Sequence, residues 1–210
     1  MEAKSDKKPG KGLLTKKTIA DSYLAMIPYK KWDKITVKEI CAAADITRGT
    51  FYLYYNDIYD LMEQIEASLL SELTKRYSTL TDDDSSASFS RDLLSIDVTP
   101  PAMFLTWFDF CKDYKREMIA LLDRKNGDMY FISKLKHFLL IHINNIMDRD
   151  GLPKDGLRTH FSKIFLELHL MVAQTWLEQG DDQFLSTDEI VNLLNTMRVG
   201  ARYLSYRKLV

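Results

Sequence analysis

The chain is poor in residues that break helices. Five prolines and eight glycines interrupt 210 residues, so a mostly helical protein is expected. Cysteine is scarce too. Cys41 and Cys111 both sit in apolar helical patterns, which reads as buried thiols rather than a disulfide. No stretch approaches the roughly 18 consecutive apolar residues of a membrane span. The N-terminus has no apolar run suited to a signal peptide. Strand-like alternation of useful length is missing, and so is any internal repeat. The formal charge is −1, which excludes a chain that is basic throughout. These absences point to a cytoplasmic, all-α protein.

Catalytic signatures are missing as well. There is no phosphate-cradling glycine loop, no nucleophile elbow and no Cys–His motif. The histidines are His137, His142, His160 and His169. Their spacings put no two of them well on one helical face. No metal, no cofactor and no enzyme activity is expected.

What is present is an ordinary globular balance, 46% hydrophobic and 28% charged, enough to bury a sizeable core. Charge is placed unevenly. Lys4, Lys7, Lys8, Lys11, Lys16 and Lys17 face only Glu2 and Asp6 at the N-terminus. A basic arm of this kind is either a solvated tail or a phosphate-touching segment.

Apolar residues recur at helical spacing almost throughout. A first helix runs from about Thr15 to Met26, marked by Ile19 and Tyr23, and Pro28 ends it. A second starts at Thr36, where Thr36-Val37-Lys38-Glu39 spells a capping box. A turn follows at Ala44-Asp45-Ile46. Asp45 is one of the few non-glycine types that tolerates a left-handed backbone. Thr47 caps a short third helix, with Ile46 and Phe51 placed for a hydrophobic staple. Asn56-Asp57 opens a long helix, Ile58 to Leu80, striped by Leu61, Ile65, Leu69 and Leu73. The acidic, serine-rich run Thr81 to Asp92 reads as a loop between two parts. Thr99-Pro100-Pro101 signals a helix start. Further helices are expected over about Pro100–Arg124, Asp128–Arg149, Leu157–Gln179 and Thr187–Tyr206, with glycine-bearing stops between them.

Two helices joined by a short turn, one before and a long one after, make a helix-turn-helix arrangement. The second helix of such a unit lies in the DNA major groove. That gives meaning to ITRGTFYLYY, Ile46 to Tyr55. Phe51 and Tyr55 are four apart and face inward. Arg48, Gly49, Tyr52 and Leu53 then face outward. Arginine suits the paired acceptors of guanine. A glycine in the exposed first turn suits close approach of backbone to a base pair, at a cost of about 0.5–1 kcal/mol against alanine.

The segment ITVKEICAAADITRGTFYLYYNDIYDLMEQI resembles the TetR family of bacterial transcriptional regulators. The resemblance covers about Thr15 to Leu73. It implies a DNA-binding domain over residues 15–60 after a basic arm, 1–14, and a helical ligand-binding and dimerisation domain over residues 61–210. By position it implies phosphate contacts from Thr36, Tyr54 and the hydroxyl of Thr47, and a base or phosphate contact from Lys38. Arg48, Gly49, Thr50, Tyr52 and Leu53 would line the groove. Three positions depart from the pattern. Asp45 replaces the usual turn glycine, Tyr54 a common histidine, and Ile58 a lysine that grips phosphate. Lys30, Lys31 and Lys34 are candidates to offset that last loss.

The C-terminal part resembles the family in helix number and order only. The helix from Leu157 is apolar nearly all round, and Ile190, Leu194, Met197, Ala201 and Leu204 space out a 4-3-4-3 seam. Leu168, Val172, Trp176 and that seam are expected to pair two copies. An ordinary intramolecular core is the other reading. Phe104, Trp107, Phe108, Phe131, Leu135, Phe138, His142, Phe165 and His169 are expected to line a ligand pocket, and a plain aromatic core is again the alternative. The function expected is a homodimeric repressor on a palindromic operator, released when an unidentified effector tilts the helix from Ile58. Its rival is a TetR-like protein acting through protein contacts or nonspecific DNA binding.

Overall fold

The computed structural model describes residues 10–80, 98–179 and 185–207, with side chains through 201. Expectations for the arm before Gly10, for Thr81 to Asp92, for the stop at Gly180 and for the side chain of Leu204 lie outside these residues. Every regular element among the described residues is helical. The α-helices are α1 (Lys11–Leu24), α2 (Val37–Ala43), α3 (Arg48–Tyr52), α4 (Ile58–Ser78), α5 (Ala102–Asp113), α6 (Lys115–Leu122), α7 (Met129–Arg149), α8 (Gly156–Leu177) and α9 (Thr187–Arg207). A single 3-10 turn, Trp32–Lys34, precedes α2. No helix among them is long and apolar enough to cross a membrane.

The helix ends follow from local chemistry. At α2 the capping box is complete, with Glu39 N donating to Thr36 Oγ1 and Thr36 N donating to the Glu39 carboxylate. Asp45 takes the left-handed turn, with φ 51. Thr47, Asp57, Asp128 and Asp155 cap α3, α4, α7 and α8 through side-chain oxygens. Each such cap stabilises its helix by about 1 kcal/mol. The start of α5 differs from expectation. Pro101, without a side-chain cap, precedes Ala102 as the first helical residue. The expected single helix from Pro100 to Arg124 is two. Tyr114, at φ −110 and ψ 36, separates α5 from α6. No glycine or proline marks the break. Its ring is held between Phe110, 4.9 Å away, and the Arg76 guanidinium.

Helices α1 to α3 form a head, and α4 joins it to the rest. Near its start α4 meets the head, with Tyr59 edge-on to Trp32 and Gln64 accepting from Lys16. Further along it meets the core helices, where Glu66 pairs with Lys134 and Tyr77 donates to the carbonyl of Met103. Leu61, Ile65, Leu69 and Leu73 are buried along it, each contributing about 1.5–3 kcal/mol. Buried side chains from Ile19 to Leu194 belong to one continuous cluster.

Two expectations for the C-terminal half are corrected here. Phe104, Trp107, Phe108, Phe131, Leu135, Phe165 and His169 are buried in the core, and of them Phe165 borders a small space beside Ile143, Phe161 and Arg198. Phe138 and His142 are half-buried and pack against Tyr77, at 5.0 and 4.5 Å between ring centres. Phe104, Phe165 and His169 make a second ring cluster, with centres 4.5 to 5.8 Å apart. Burial pulls the His169 imidazole down to about 4. It is therefore neutral at physiological pH. Second, Trp176, Ile190, Leu194 and Ala201 lie inside the protomer. Trp176 donates its indole N–H to the carbonyl of Leu185 and meets Phe108 edge-on. Ile190, Leu194 and Ala201 of the 4-3-4-3 seam thus form an inner face of α9, because that spacing serves an intramolecular partner as well as a second chain, while Met197 is exposed. Deeper still, Arg198 binds both oxygens of Asp150, at 3.0 and 2.8 Å, and reaches the carbonyl of Thr99.

The head is also tied to the loop between α6 and α7. Trp32 N donates to the carbonyl of Asn126 at 2.9 Å, and the Asn126 amide donates to the carbonyl of Pro28. Arg116 pairs with Asp21 on α1. Beside this tie, Glu66 is buried with Lys134 at 2.6 Å. Burial, reinforced by the neighbouring Asp128 and opposed by Lys134, raises the Glu66 carboxyl to about 7. A folded value above the unfolded one means stability that is full below the unfolded value and lost as pH rises through about 7. The melting temperature should therefore fall between about pH 4.5 and pH 7, and Glu66→Gln should flatten that fall. An equal slope in both proteins, followed by calorimetry, would count against this assignment.

Candidate nucleic-acid interface

The outer surface of the head is built from α2, the turn at Asp45 and α3. Helix α3 spans five residues, too few to persist alone. Two things hold it. Thr47 Oγ1 accepts from Thr50 N at 3.1 Å. Phe51 is fully buried and Tyr55 nearly so, with their rings 5.6 Å apart. Once those side chains point inward, geometry sends Arg48, Gly49, Tyr52 and Leu53 outward. Tyr52 is 56% exposed and Leu53 78%. Large apolar groups left in water at the tip of a well-packed head suit contact with a partner.

The polar groups on this surface are not equally available. Arg48 and Lys38 are exposed, and neither has an ion pair among the described residues. The hydroxyls of Thr47 and Thr50 share one hydrogen bond at 3.0 Å, and Thr47 also accepts from Thr50 N. One hydroxyl proton of the two is left to donate outward. Thr36 is different. Its hydroxyl donates to Glu39 at 2.7 Å, and its amide does the same at 2.8 Å. Lys30, at 2.8 Å, and Thr36 together hold the Glu39 carboxyl down to about 2. Thr36 is thus committed to its cap, which corrects the phosphate role expected of it.

Tyr54 is half-buried and leans on α1, where a Cβ at Gly12 would sit 3.4 Å from its hydroxyl oxygen. This places the hydroxyl beside the first turn of α1. Sequence spacing alone does not bring Gly12 and Tyr54 together; the docking of α1 on α3 does. Of the lysines considered as replacements for the missing one, Lys30 is bound to Glu39. Lys31 and Lys34 lie 3.6 and 3.8 Å from Asp33. Ile58 is half-buried against the core. Around it, Asp57 caps α4, and Asp60 accepts from both Asn56 nitrogens. The start of α4 is acidic where the resembling family carries a cation.

The remaining titratable groups are dispersed. No group of three His, Cys, Asp or Glu side chains that could hold a metal occurs among the described residues. His160 and His137 are exposed, on different helices. Cys41 and Cys111 are buried free thiols, as expected, and burial raises both.

This head, set on a helical body through α4, has known counterparts. The fold is that of TetR-family regulators. A TetR transcriptional regulator from Streptococcus agalactiae 2603V superposes with a TM-score of 0.58 at 18% identity, covering 89% of this chain and 94% of that one. The fatty acid degradation regulator FadR from Bacillus halodurans gives 0.57 at 15% identity, covering 92% and 97%. A TetR-family regulator from Streptomyces coelicolor gives 0.55 at 16%, covering 94% and 84%. At such identities the likeness establishes the fold. No protein-family model and no curated protein matches the chain.

Within this TetR fold the least expected residue of α3 is its glycine. A Cβ at Gly49 would meet only Thr47 Oγ1, at 3.7 Å, and the backbone there is not left-handed. The fold itself does not require glycine at this position. Gly49→Ala should leave stability unchanged or raise it by about 0.5–1 kcal/mol, measured by urea denaturation. A loss of more than that would mean the glycine serves folding rather than an approaching partner.

Proposed function

We propose that the chain is a non-enzymatic transcription regulator that binds duplex DNA through α3 and responds to a small-molecule effector. The observation that carries this reading is the outward set on α3. Arg48, Tyr52 and Leu53 are presented to solvent by a capped, fully anchored helix, next to a glycine that the fold does not need. Lys38, Thr47, Thr50 and Tyr54 would add backbone and base contacts around it. The head over residues 15–60 reads DNA, the body over residues 61–210 dimerises and binds effector, and repression is the regulatory sense proposed.

A single reading helix covers too few bases for specificity, and a two-fold dimer on a palindrome answers that need. The surface supports a pairing face shifted from the seam expected at first. Ile164 on α8 and Leu193 and Met197 on α9 are 60%, 52% and 42% exposed. Leu168 and Val172 flank them, half-buried. Together they form an apolar stripe along α8 and α9 on the side away from the core.

One observation favours the rival reading of nonspecific or protein-directed binding. Ile58 sits between Asp57 and Asp60 where a phosphate-gripping cation is usual in the resembling family, and Lys30 is already neutralised. The two readings separate in a gel shift against the DNA flanking the gene. A palindrome should shift at moderate salt while unrelated duplex does not. Arg48→Ala or Tyr52→Ala should cost about 1–3 kcal/mol on that site and relax its sequence preference. Equal binding to every duplex would leave the rival standing.

The pairing face is tested separately. Leu193→Asp should convert the dimer to monomer in sedimentation equilibrium and weaken operator binding. An unchanged sedimentation profile would remove α9 from the interface.

A further inference from the structure

The loop that holds the head has a second face. Behind it, between the end of α6, the start of α7 and the second half of α8, lies a cavity of about 240 Å³. Leu122, Met129, Ile132, Leu170 and Met171 supply its apolar lining. Met171 stands at the border with the stripe proposed for pairing. Two cations also line the space. Lys136 is bound by Glu167 from α8. Arg124 is exposed and has no ion pair or hydrogen bond among the described residues. Gln174 adds a neutral amide.

A half-open apolar pocket with one uncommitted guanidinium selects an apolar body that ends in a single negative charge. The guanidinium fork matches a carboxylate in particular, since two parallel N–H groups meet its two oxygens. A cationic head would be repelled by Arg124. An alcohol of the same length would keep the apolar contacts and forgo the charged one.

The loop is also a compact, internally bonded unit. Asp123 Oδ1 accepts from the amides of Lys125 and Asn126, and Gly127 N donates to the carbonyl of Asp123. A Cβ at Gly127 would stand 2.6 Å from the carbonyls of both Asp123 and Leu121. Leu122, Arg124 and Met129 line the cavity, while Asn126 in the same segment bonds the head at Trp32 and Pro28. A molecule wedged behind the loop therefore bears on the contact that sets the position of the head.

We propose that this cavity binds an apolar monocarboxylate, with the carboxylate on Arg124 and the hydrocarbon on the apolar lining, and that the Asp123–Asp128 loop carries its occupancy to the head. The proposal rests on the effector-response reading above and names the chemical class and place of the effector. The full chain is titrated by calorimetry with decanoate, decanol and decyltrimethylammonium. Decanoate should bind best, decanol more weakly and the cation not measurably. Arg124→Gln should weaken decanoate by at least about tenfold and leave decanol unchanged. Met129→Trp, which fills the space from an exposed position, should weaken both without lowering the melting temperature. Decanoate should also change the hydrogen-exchange rate of the Trp32 amide.

No decanoate binding, equal binding of decanoate and decanol, or an Arg124→Gln protein that binds decanoate normally would overturn the site. An unaltered Trp32 exchange rate with decanoate bound would overturn its link to the head. Failure of the effector-response reading looks different. There decanoate binds as described and operator affinity stays the same.

Discussion

Trp32 donates its amide to the carbonyl of Asn126, and that bond ties the head to the body. The head has few other polar ties to the body. Asn126 reaches back to Pro28, and Arg116 pairs with Asp21. The rest of the joint is the apolar continuity of α4, whose side chains are shared by both parts. Apolar contact is non-directional and would accept a range of head angles. The hydrogen bond and the compact turn behind it choose one. That turn exists only because Gly127 has no side chain to collide with the carbonyls beneath it.

The chemistry near this joint is charged as well as apolar. Glu66, Asp128, Lys134 and Tyr23 come together from α4, the start of α7 and α1. Burial works against ionisation of Glu66, while Lys134 works for it. A group balanced in this way ties the cohesion of the joint to proton concentration near neutrality. The same region has the α6–α7 loop on one side and an apolar cavity on the other. Under the proposals above, a proton, an occupant of the cavity and an operator would all bear on one short stretch of backbone.

The outer surface of the head follows a different logic. Helix α3 is too short to sustain itself, so its order comes from Thr47 and from the burial of Phe51 and Tyr55. What remains outward, Tyr52 and Leu53 among it, adds little to that anchoring. Gly49 and Leu53 are both poor choices for a free surface, one for entropy and one for exposure. The acidic start of α4 is a further departure. Under the proposed DNA-binding role it shifts the burden of binding onto Arg48, Lys38 and the opening of α1.

Much of the head was legible in sequence because its signals are local. A capping box needs four residues, a left-handed turn needs one tolerant side chain, and the inward pair Phe51 and Tyr55 is set by helical spacing. Ile58 and Asp45 could likewise be noticed without coordinates. Signals that depend on a distant partner were not legible. The break at Tyr114 comes from a ring held by Phe110 and Arg76, with no helix breaker in the chain. The aromatic residues of α5, α7 and α8 have the composition of a pocket, yet their rings close on one another. The spacing of Ile190, Leu194 and Ala201 marks a helix face that must be covered and is silent on what covers it. By itself the sequence determined that the chain is helical, which helices carry side-chain caps and which face of each is apolar, since these depend on neighbours within a few turns. Only the tertiary structure decided which apolar face meets which, which cations are already paired and where a space is left open, because those depend on side chains far apart in the chain.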